Sequence, residues 1–313
     1  MDFFKIESHI EFLKVRKVAF IISAVLIIVS LASLAVRGLN FGIEFRGGVV
    51  IEAGFPESVD LPPIRAALED AGIDRSVVQH FGSSREVTVQ LLAEEGADPS
   101  DTRDRVMQVL RTVDAAAELR RVEFVGPQVG RELAEAGGMA TLFALLLILA
   151  YVSFRFQWKF SLGAVAALVH DVIITLGIFS IIQLAFDLAV LAAVLAVIGY
   201  SLNDTIVIFD RIRENMLKMR RKSTEEVMDA SLNQTLSRTI MTGVTTLLVL
   251  LSLYFLGGEA ISGFSVALII GVLVGTYSSI YIASATALAL KVTTIDLIPP
   301  QAKDEDESSG VLP

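Results

Sequence analysis

The chain has 313 residues, 53% of them hydrophobic and 19% charged, with a net charge of −9. A soluble interior of this size cannot hide that much apolar side chain, so a single soluble enzyme is excluded, as are disordered and collagen-like chains. The acidic balance offers nucleic acid no surface, and without cysteine there are no disulfides, thiolate metal sites or cysteine nucleophiles.

In chain order, residues 1–17 read as a cytoplasmic tail and 18–36 as a first membrane span, 19 uncharged residues between Lys17 and Arg37. No small-x-small cleavage site follows it, which makes it a retained anchor rather than a signal peptide. Residues 37–135 form an external domain, and 136–290 a five-helix bundle. Uncharged runs at 136–154, 239–258 and 260–290 are each long enough to cross hydrocarbon. Two further spans are interrupted by ionisable groups: 160–182 carries His170 and Asp171, and 188–209 carries Asp204. Six spans result, with a cytoplasmic loop at 210–238 and a disordered cytoplasmic tail at 291–313. Lysine and arginine number four before the first span, two in 155–159, seven in 210–238 and two in the tail, but none in 183–187 or 257–263. The positive-inside rule then places both termini in the cytoplasm and residues 37–135 outside.

The external segment alternates in a readable way. Residues 47–55 predict a strand, 61–71 a helix with Leu61, Ile64 and Leu68 on one face, and 76–81 and 86–92 two strands. A helix at 100–115 and a strand at 120–125 follow. The order β-α-β-β-α-β is that of a ferredoxin-like fold. No nucleotide loop, metal cluster or nucleophile–base pair is present, and His80 stands alone as a structural residue. The expectation is a multi-pass α-helical membrane protein whose external α+β domain serves interaction.

Ionisable groups inside a span cost at least about 2.5 kcal/mol at the membrane centre and are functional candidates by default. Asp204 sits in GYSLNDTIVIFDRIREN (199–215), about 9 Å inside the charged edge that begins at Asp210. Tyr200 and Ser201 lie on its face, flanked by Asn203 and Thr205. Arg238 opens the fifth span with Gln234, Thr235, Thr242 and Thr245 at helical spacing, which suggests that it faces Asp204 or a partner's carboxylate. On the residues alone, Asp204 is either a proton carrier or half of a static ion pair. His170 and Asp171 are either a proton relay or a structural hydrogen-bonding site, with Ala164, Ala167 and Thr175 on the face of Asp171. The sixth span repeats small residues at Ala267, Gly271, Gly275, Ser279, Ala283 and Ala287, a helix-packing seam.

Five blocks, in order, resemble one family. GLNFGIEFRGG (38–48), VGPQVGREL (125–133), HDVIITLGIFS (170–180), GYSLNDTIVIFDRIREN and SRTIMTGVTTL (237–247) are similar to those of the SecF family of the bacterial Sec protein-export system. Glu44 stands where an aspartate is common in that family. The resemblance implies membership of the resistance–nodulation–division superfamily and a SecD-like six-helix partner completing a twelve-span bundle. It further implies association with the SecYEG channel and the SecA motor, with YajC and YidC as further neighbours, and exported polypeptides as cargo in the inner membrane. Asp204 and Arg238 match the family's proton-path residues, with Asn203, Thr205 and Thr242 beside them; His170, Asp171, Tyr200 and Ser201 are secondary candidates. The coupling ion is then the proton, with no bound cofactor, and the absence of a Walker A sequence fits a subunit that is not itself an ATPase. Two alternatives stand beside this reading, a proton-driven small-molecule exporter subunit of the same superfamily and a non-conducting scaffold. An aspartyl protease fits less well, since Asp204 lacks a Gly-x-Gly-Asp context.

Overall fold

A computed structural model describes residues 10–73, 76–92, 98–258 and 261–293. Of the predicted disordered tail at 291–313, residues 294–313 lie outside them. After a 3-10 turn (Phe12–Val15) comes α1 (Arg16–Val36), followed by the short strand β1 (Asn40–Phe41) and the one-turn helix α2 (Ile43–Arg46). The external domain proper is β2 (Gly48–Gly54), α3 (Leu61–Asp70), β3 (Val77–Phe81), β4 (Ser83–Leu92), α4 (Pro99–Val113) and β5 (Glu118–Val125). Its sheet runs β3-β4-β2-β5, antiparallel throughout, which is the ferredoxin-like arrangement. Alternation decides the faces: Val49, Ile51 and Ala53 of β2 and Val87, Val89 and Leu91 of β4 are buried under Ile64, Leu68, Val106 and Leu110 of the two helices. Asp98 caps α4 by accepting from the Ser100 amide at 2.8 Å, and Pro99 fills the first helical position, where its missing N–H costs nothing.

The remaining spans are α5 (Pro127–Arg155), α6 (Trp158–Ile182), α7 (Leu188–Lys218), α8 (Thr224–Leu256) and a last span that bends through three pieces. That span is α9 (Ser262–Ser278), a π-helical turn (Ser279–Ala283) and α10 (Ser284–Ala289). Among the described residues, six helices are long and apolar enough to cross a membrane. α6, α7 and α9 form the centre of the bundle. Much of the exposed apolar surface lies on α1, α5 and α8, at residues such as Ile28, Leu147 and Leu248.

Two boundaries differ from those expected. α5 begins at Pro127 and so includes the last nine residues, 127–135, of the predicted external domain, because Gly126 and Pro127 form a helix start that the charges of 131–135 do not interrupt. The expected loop at 210–238 is mostly helix. α7 runs on to Lys218, with Glu214 bonded to both Arg211 and Lys218, and α8 restarts after only five residues with a Ser223–Glu226 capping box. The helices thus continue past the charged residues at which the sequence ends its uncharged runs.

Two of the sequence blocks form one joint. Gly47 has φ +78°, a conformation that favours glycine, and a Cβ there would lie 2.7 Å from the Cα of Pro127. A Cβ on Gly48 would lie 2.2 Å from the Leu91 carbonyl oxygen. α2 is thereby pressed onto the start of α5. β1 pairs in parallel with β6 (Ala185–Phe186) in the α6–α7 turn, Gly42 N–H donates to the Phe186 carbonyl at 2.9 Å, and the Ser180 hydroxyl donates to the Gly38 carbonyl at 2.7 Å. The external domain is therefore seated on the bundle through α1, α2 and α5 together.

Candidate intramembrane polar site

The small-residue seam of α9 does what its spacing suggests. Ala267, Gly271, Gly275, Ser279, Ala283 and Ala287 are all buried. A Cβ on Gly271 would stand 2.0 Å from Val197 of α7, and one on Gly275 would stand 3.0 Å from Ser201. This close approach brings hydroxyls of α7 and α9 together onto the middle of α6.

Asp171 of α6 is 1% exposed and fully engaged. Its Oδ2 accepts from Ser201 Oγ at 2.6 Å and from Ser278 Oγ at 2.8 Å, and its Oδ1 lies 2.9 Å from His170 Nδ1. On its other side, His170 Nε2 lies 3.1 Å from Ser23 Oγ of α1, which contacts the Tyr277 hydroxyl at 3.1 Å. Tyr277 donates to the Ala19 carbonyl at 2.8 Å. Ser201, which the sequence placed beside Asp204, turns instead to Asp171. Ser23, Tyr277 and Ser278 went unnoticed in the sequence, because a lone hydroxyl in an apolar run carries no pattern.

Asp204 of α7 is 3% exposed, and its Oδ2 is buried without a hydrogen-bond partner. The expected contact with Arg238 does not form. Arg238 sits on the outward, exposed face of α8 and acts on Asp204 only through space. Its threonine stripe is not a solvating shell either. Thr235 and Thr245 donate to carbonyls of their own helix, and so does Thr242, whose hydroxyl reaches the Arg238 and Thr239 carbonyls, both at 3.0 Å. Gln234 accepts from Asn215 at 2.9 Å. Thr205 pairs with Ser279 at 2.8 Å inside the bundle, whereas Asn203 points outward and is exposed. The Tyr200 hydroxyl points at α8 beside Gly243, toward the Thr242 and Thr246 hydroxyls, and the Thr239 hydroxyl is buried without a partner.

The bundle thus holds two carboxylates in opposite settings. One is wrapped by three donors. The other is bare on one oxygen, beside a face where Asn203 and Arg238 are exposed at membrane depth. Leaving such groups unpaired in hydrocarbon is costly, so the second face has the character of half a site. Outside the spans, His80 lies on β3 with its Nδ1 buried and unpaired, and the Glu44 carboxyl is raised above its ordinary value, chiefly by burial, with Asp187 and Glu123 adding to it.

Fold and site together define a multi-pass membrane protein of the transport class, with charged groups inside its bundle and a ferredoxin-like domain at one end. Residues 105–293 match the family of protein export membrane proteins SecD/SecF, C-terminal, and residues 32–55 match the SecD/SecF GG motif. The chain belongs to the SecD/SecF protein-export family. It is 48% identical over 310 residues to the protein translocase subunit SecF of Vibrio alginolyticus, covering 99% of this chain and 98% of that one. With the Pseudomonas aeruginosa protein of the same name, identity is 51% over 297 residues, covering 94% and 96%. Among solved structures it resembles SecDF of Thermus thermophilus, described as a translocon-associated membrane protein, with a TM-score of 0.79 and 38% identity. That match covers 90% of this chain but 38% of the longer SecDF chain. The segment matching the SecD/SecF GG motif contains Gly47 and Gly48, the two glycines of the joint.

Proposed function

We propose that the chain is the SecF half of a SecD–SecF pair that uses the proton-motive force to assist late steps of Sec-dependent translocation across the inner membrane. The observation that carries this reading is Asp204, buried with one bare oxygen beside an exposed Arg238. A lone subunit has no use for such a face, and a second six-helix half would complete it. The SecDF likeness supports this, since more than half of that chain lies beyond the match.

In this reading Asp204 takes up a proton from one side and releases it to the other as the half-bundles shift. Arg238 supplies the countercharge when Asp204 is ionised. Asn203 and Thr242 line the face toward the partner, and Thr205 holds α7 to the last span. A proton crossing 100 mV releases about 2.3 kcal/mol, enough to bias a two-state domain by more than tenfold. The movement reaches the external domain, outside the membrane, through α1 and α5, which both lead into the joint at Gly47. Both termini face the cytoplasm, where the SecA motor supplies ATP hydrolysis that this chain does not perform. SecYEG is the channel served, with YajC and YidC as neighbours.

The test is preprotein translocation in inverted membrane vesicles containing both subunits, with wild type or Asp204→Asn at matched levels. The expected result is that the variant assembles and loses only the part of translocation that depends on the proton gradient. Translocation unchanged in the variant would overturn the reading and leave a scaffold.

A further inference from the structure

The His170–Asp171 cluster carries a separate inference that does not depend on Asp204. From Asp171 to α1, four contacts run in series. They are Asp171 Oδ1 with His170 Nδ1 at 2.9 Å, His170 Nε2 with Ser23 Oγ at 3.1 Å, Ser23 Oγ with the Tyr277 hydroxyl at 3.1 Å, and Tyr277 with the Ala19 carbonyl at 2.8 Å. Each is a hydrogen bond only if one hydrogen lies in it.

The hydrogens can be counted. The Ala19 carbonyl has none, so Tyr277 must donate its single hydrogen there. Ser23 then has one hydrogen to serve two neighbours, Tyr277 and His170. With a neutral imidazole bonded to an ionised Asp171, the only ring hydrogen is on Nδ1, and three hydrogens must fill four contacts. Either Ser23 and Tyr277 or Ser23 and Nε2 would then face each other lone pair to lone pair at 3.1 Å. One additional proton fills all four: Nδ1 to Asp171, Nε2–H to Ser23, Ser23 O–H to Tyr277, Tyr277 O–H to Ala19. Placing that proton on Asp171 Oδ1 rather than Nδ1 leaves the count unchanged.

Charge agrees with the count. The groups that meet the pair from neighbouring helices are neutral: Ser23 from α1, Ser201 from α7, and Ser278 and Tyr277 from α9, with Thr175 buried one turn on in α6 itself. Tyr277 stacks on the imidazole at 6.0 Å between centroids, and Tyr281 packs against Tyr277. Among the described residues no lysine or arginine pairs with Asp171, and Asp204 makes no contact with it. An ionised Asp171 beside a neutral histidine would be a net buried anion at mid-membrane. With the extra proton the pair is neutral overall, which a low-dielectric interior favours.

We propose that His170 and Asp171 form a second proton-binding site of the bundle, occupied in this conformation, whose proton completes the hydrogen-bond chain that ties α1 to α9. Loss of the proton forfeits one of the four contacts on the α1 side. α1 is also the helix that leads into the external domain, through Gly38 and β1.

The test reads the ring nitrogens directly. The full chain carries three histidines, so His9→Gln and His80→Gln leave His170 as the single 15N-labelled imidazole, in lipid nanodiscs. At pH 7 the Nε2 signal is expected at the position of a protonated nitrogen. In Asp171→Asn the side-chain amide can donate to Nδ1 in place of the extra proton, so Nε2 is expected to stay protonated, with Nδ1 unprotonated, to higher pH than in the chain with native Asp171. Ser23→Ala in the native chain removes both the acceptor of Nε2–H and the donor to Tyr277, and should move the 13Cζ resonance of Tyr277. An unprotonated Nε2 at pH 7 in the chain with native Asp171 overturns the proposal by itself, even where Asp171→Asn does not fold. A Tyr277 resonance indifferent to Ser23→Ala overturns the tie between α1 and α9.

Discussion

Gly47 and Gly130 meet backbone to backbone: a Cβ on Gly130 would stand 2.9 Å from the Gly47 nitrogen and 2.9 Å from the Phe45 carbonyl oxygen. Both obstacles are main chain, which cannot rotate aside as a side chain would. Gly130→Ala should therefore separate α2 from α5 and loosen the seat of the external domain, at a cost of about 1–3 kcal/mol. Gly138→Ala is the control. It lies in the same helix with nothing within 4 Å of its Cβ position, and it should gain about 0.5–1 kcal/mol from lower backbone entropy in the unfolded chain. Thermal melting of the two variants in nanodiscs should move in opposite directions.

The packing of α9 on α7 makes a paired prediction. A Cβ on Gly271 would overlap Val197, at 2.0 Å from its Cγ2. Gly271→Ala alone should destabilise by about 1–3 kcal/mol, and Val197→Ala alone by the smaller amount that a lost pair of methyls costs. Together they should be milder than their sum, because the alanine methyl occupies the space the valine vacates. A double-mutant cycle by thermal or denaturant unfolding measures the coupling, and additivity would show that the seam can slide.

Much of this architecture was legible, and the illegible parts share a cause. The strands of the external domain declared themselves because only one face of the sheet is covered by helices, which forces alternation at Val87, Val89 and Leu91. The spans declared themselves by length without charge. What stayed hidden depends on which helix faces which. Ser201 lies three residues from Asp204 along α7, so the sequence coupled them, yet its hydroxyl reaches across to Asp171. Arg238 and Asp204 were coupled by charge, yet within this chain the arginine faces outward. Ser23 and Ser278 are single hydroxyls in apolar surroundings. The blocks at 38–48 and 125–133 were legible as motifs but not as two sides of one joint, since nothing local says that Gly47 needs room for Pro127.

The start of α8 offers a local test. Ser223 Oγ accepts from the Glu226 amide at 3.3 Å, and Glu226 accepts in return from the Ser223 amide at 2.8 Å. Just beyond this turn, Asp229 Oδ1 accepts from the Leu13 amide at 3.0 Å, and Glu225 pairs with Arg16 at 2.5 Å. Ser223→Ala should cost about 1 kcal/mol, which is roughly a fivefold rise in local opening. Hydrogen exchange should quicken by that factor at the first turn of α8 and, because the two are bonded together, at Leu13. A rise at α8 with Leu13 unchanged would show that the N-terminal turn is held by the burial of Phe12 and Leu13 rather than by these polar contacts.

Glu44 provides the pH dependence of the joint. Its side chain folds back toward Gly42, beside Asp187, and burial, followed by the charges of Asp187 and Glu123, raises it above the ordinary 4.5. A carboxyl raised on folding binds its proton more tightly in the folded state. Its contribution is therefore most favourable below the unfolded value and declines as pH rises through the folded one. Stability of the joint should fall as pH climbs from about 4.5 toward neutrality. Glu44→Gln should flatten that slope and raise the melting temperature at pH 7 while changing little at pH 4. Asp187→Asn removes one of the two charges while keeping an oxygen that can accept from the Val190 amide, the bond that caps α7 at 2.7 Å. It should move Glu44 back toward 4.5 and shrink the slope by part of what Glu44→Gln removes. Melting temperature followed from pH 4 to pH 8 in the three chains checks this ordering, and an equal slope in all three would place the titration elsewhere.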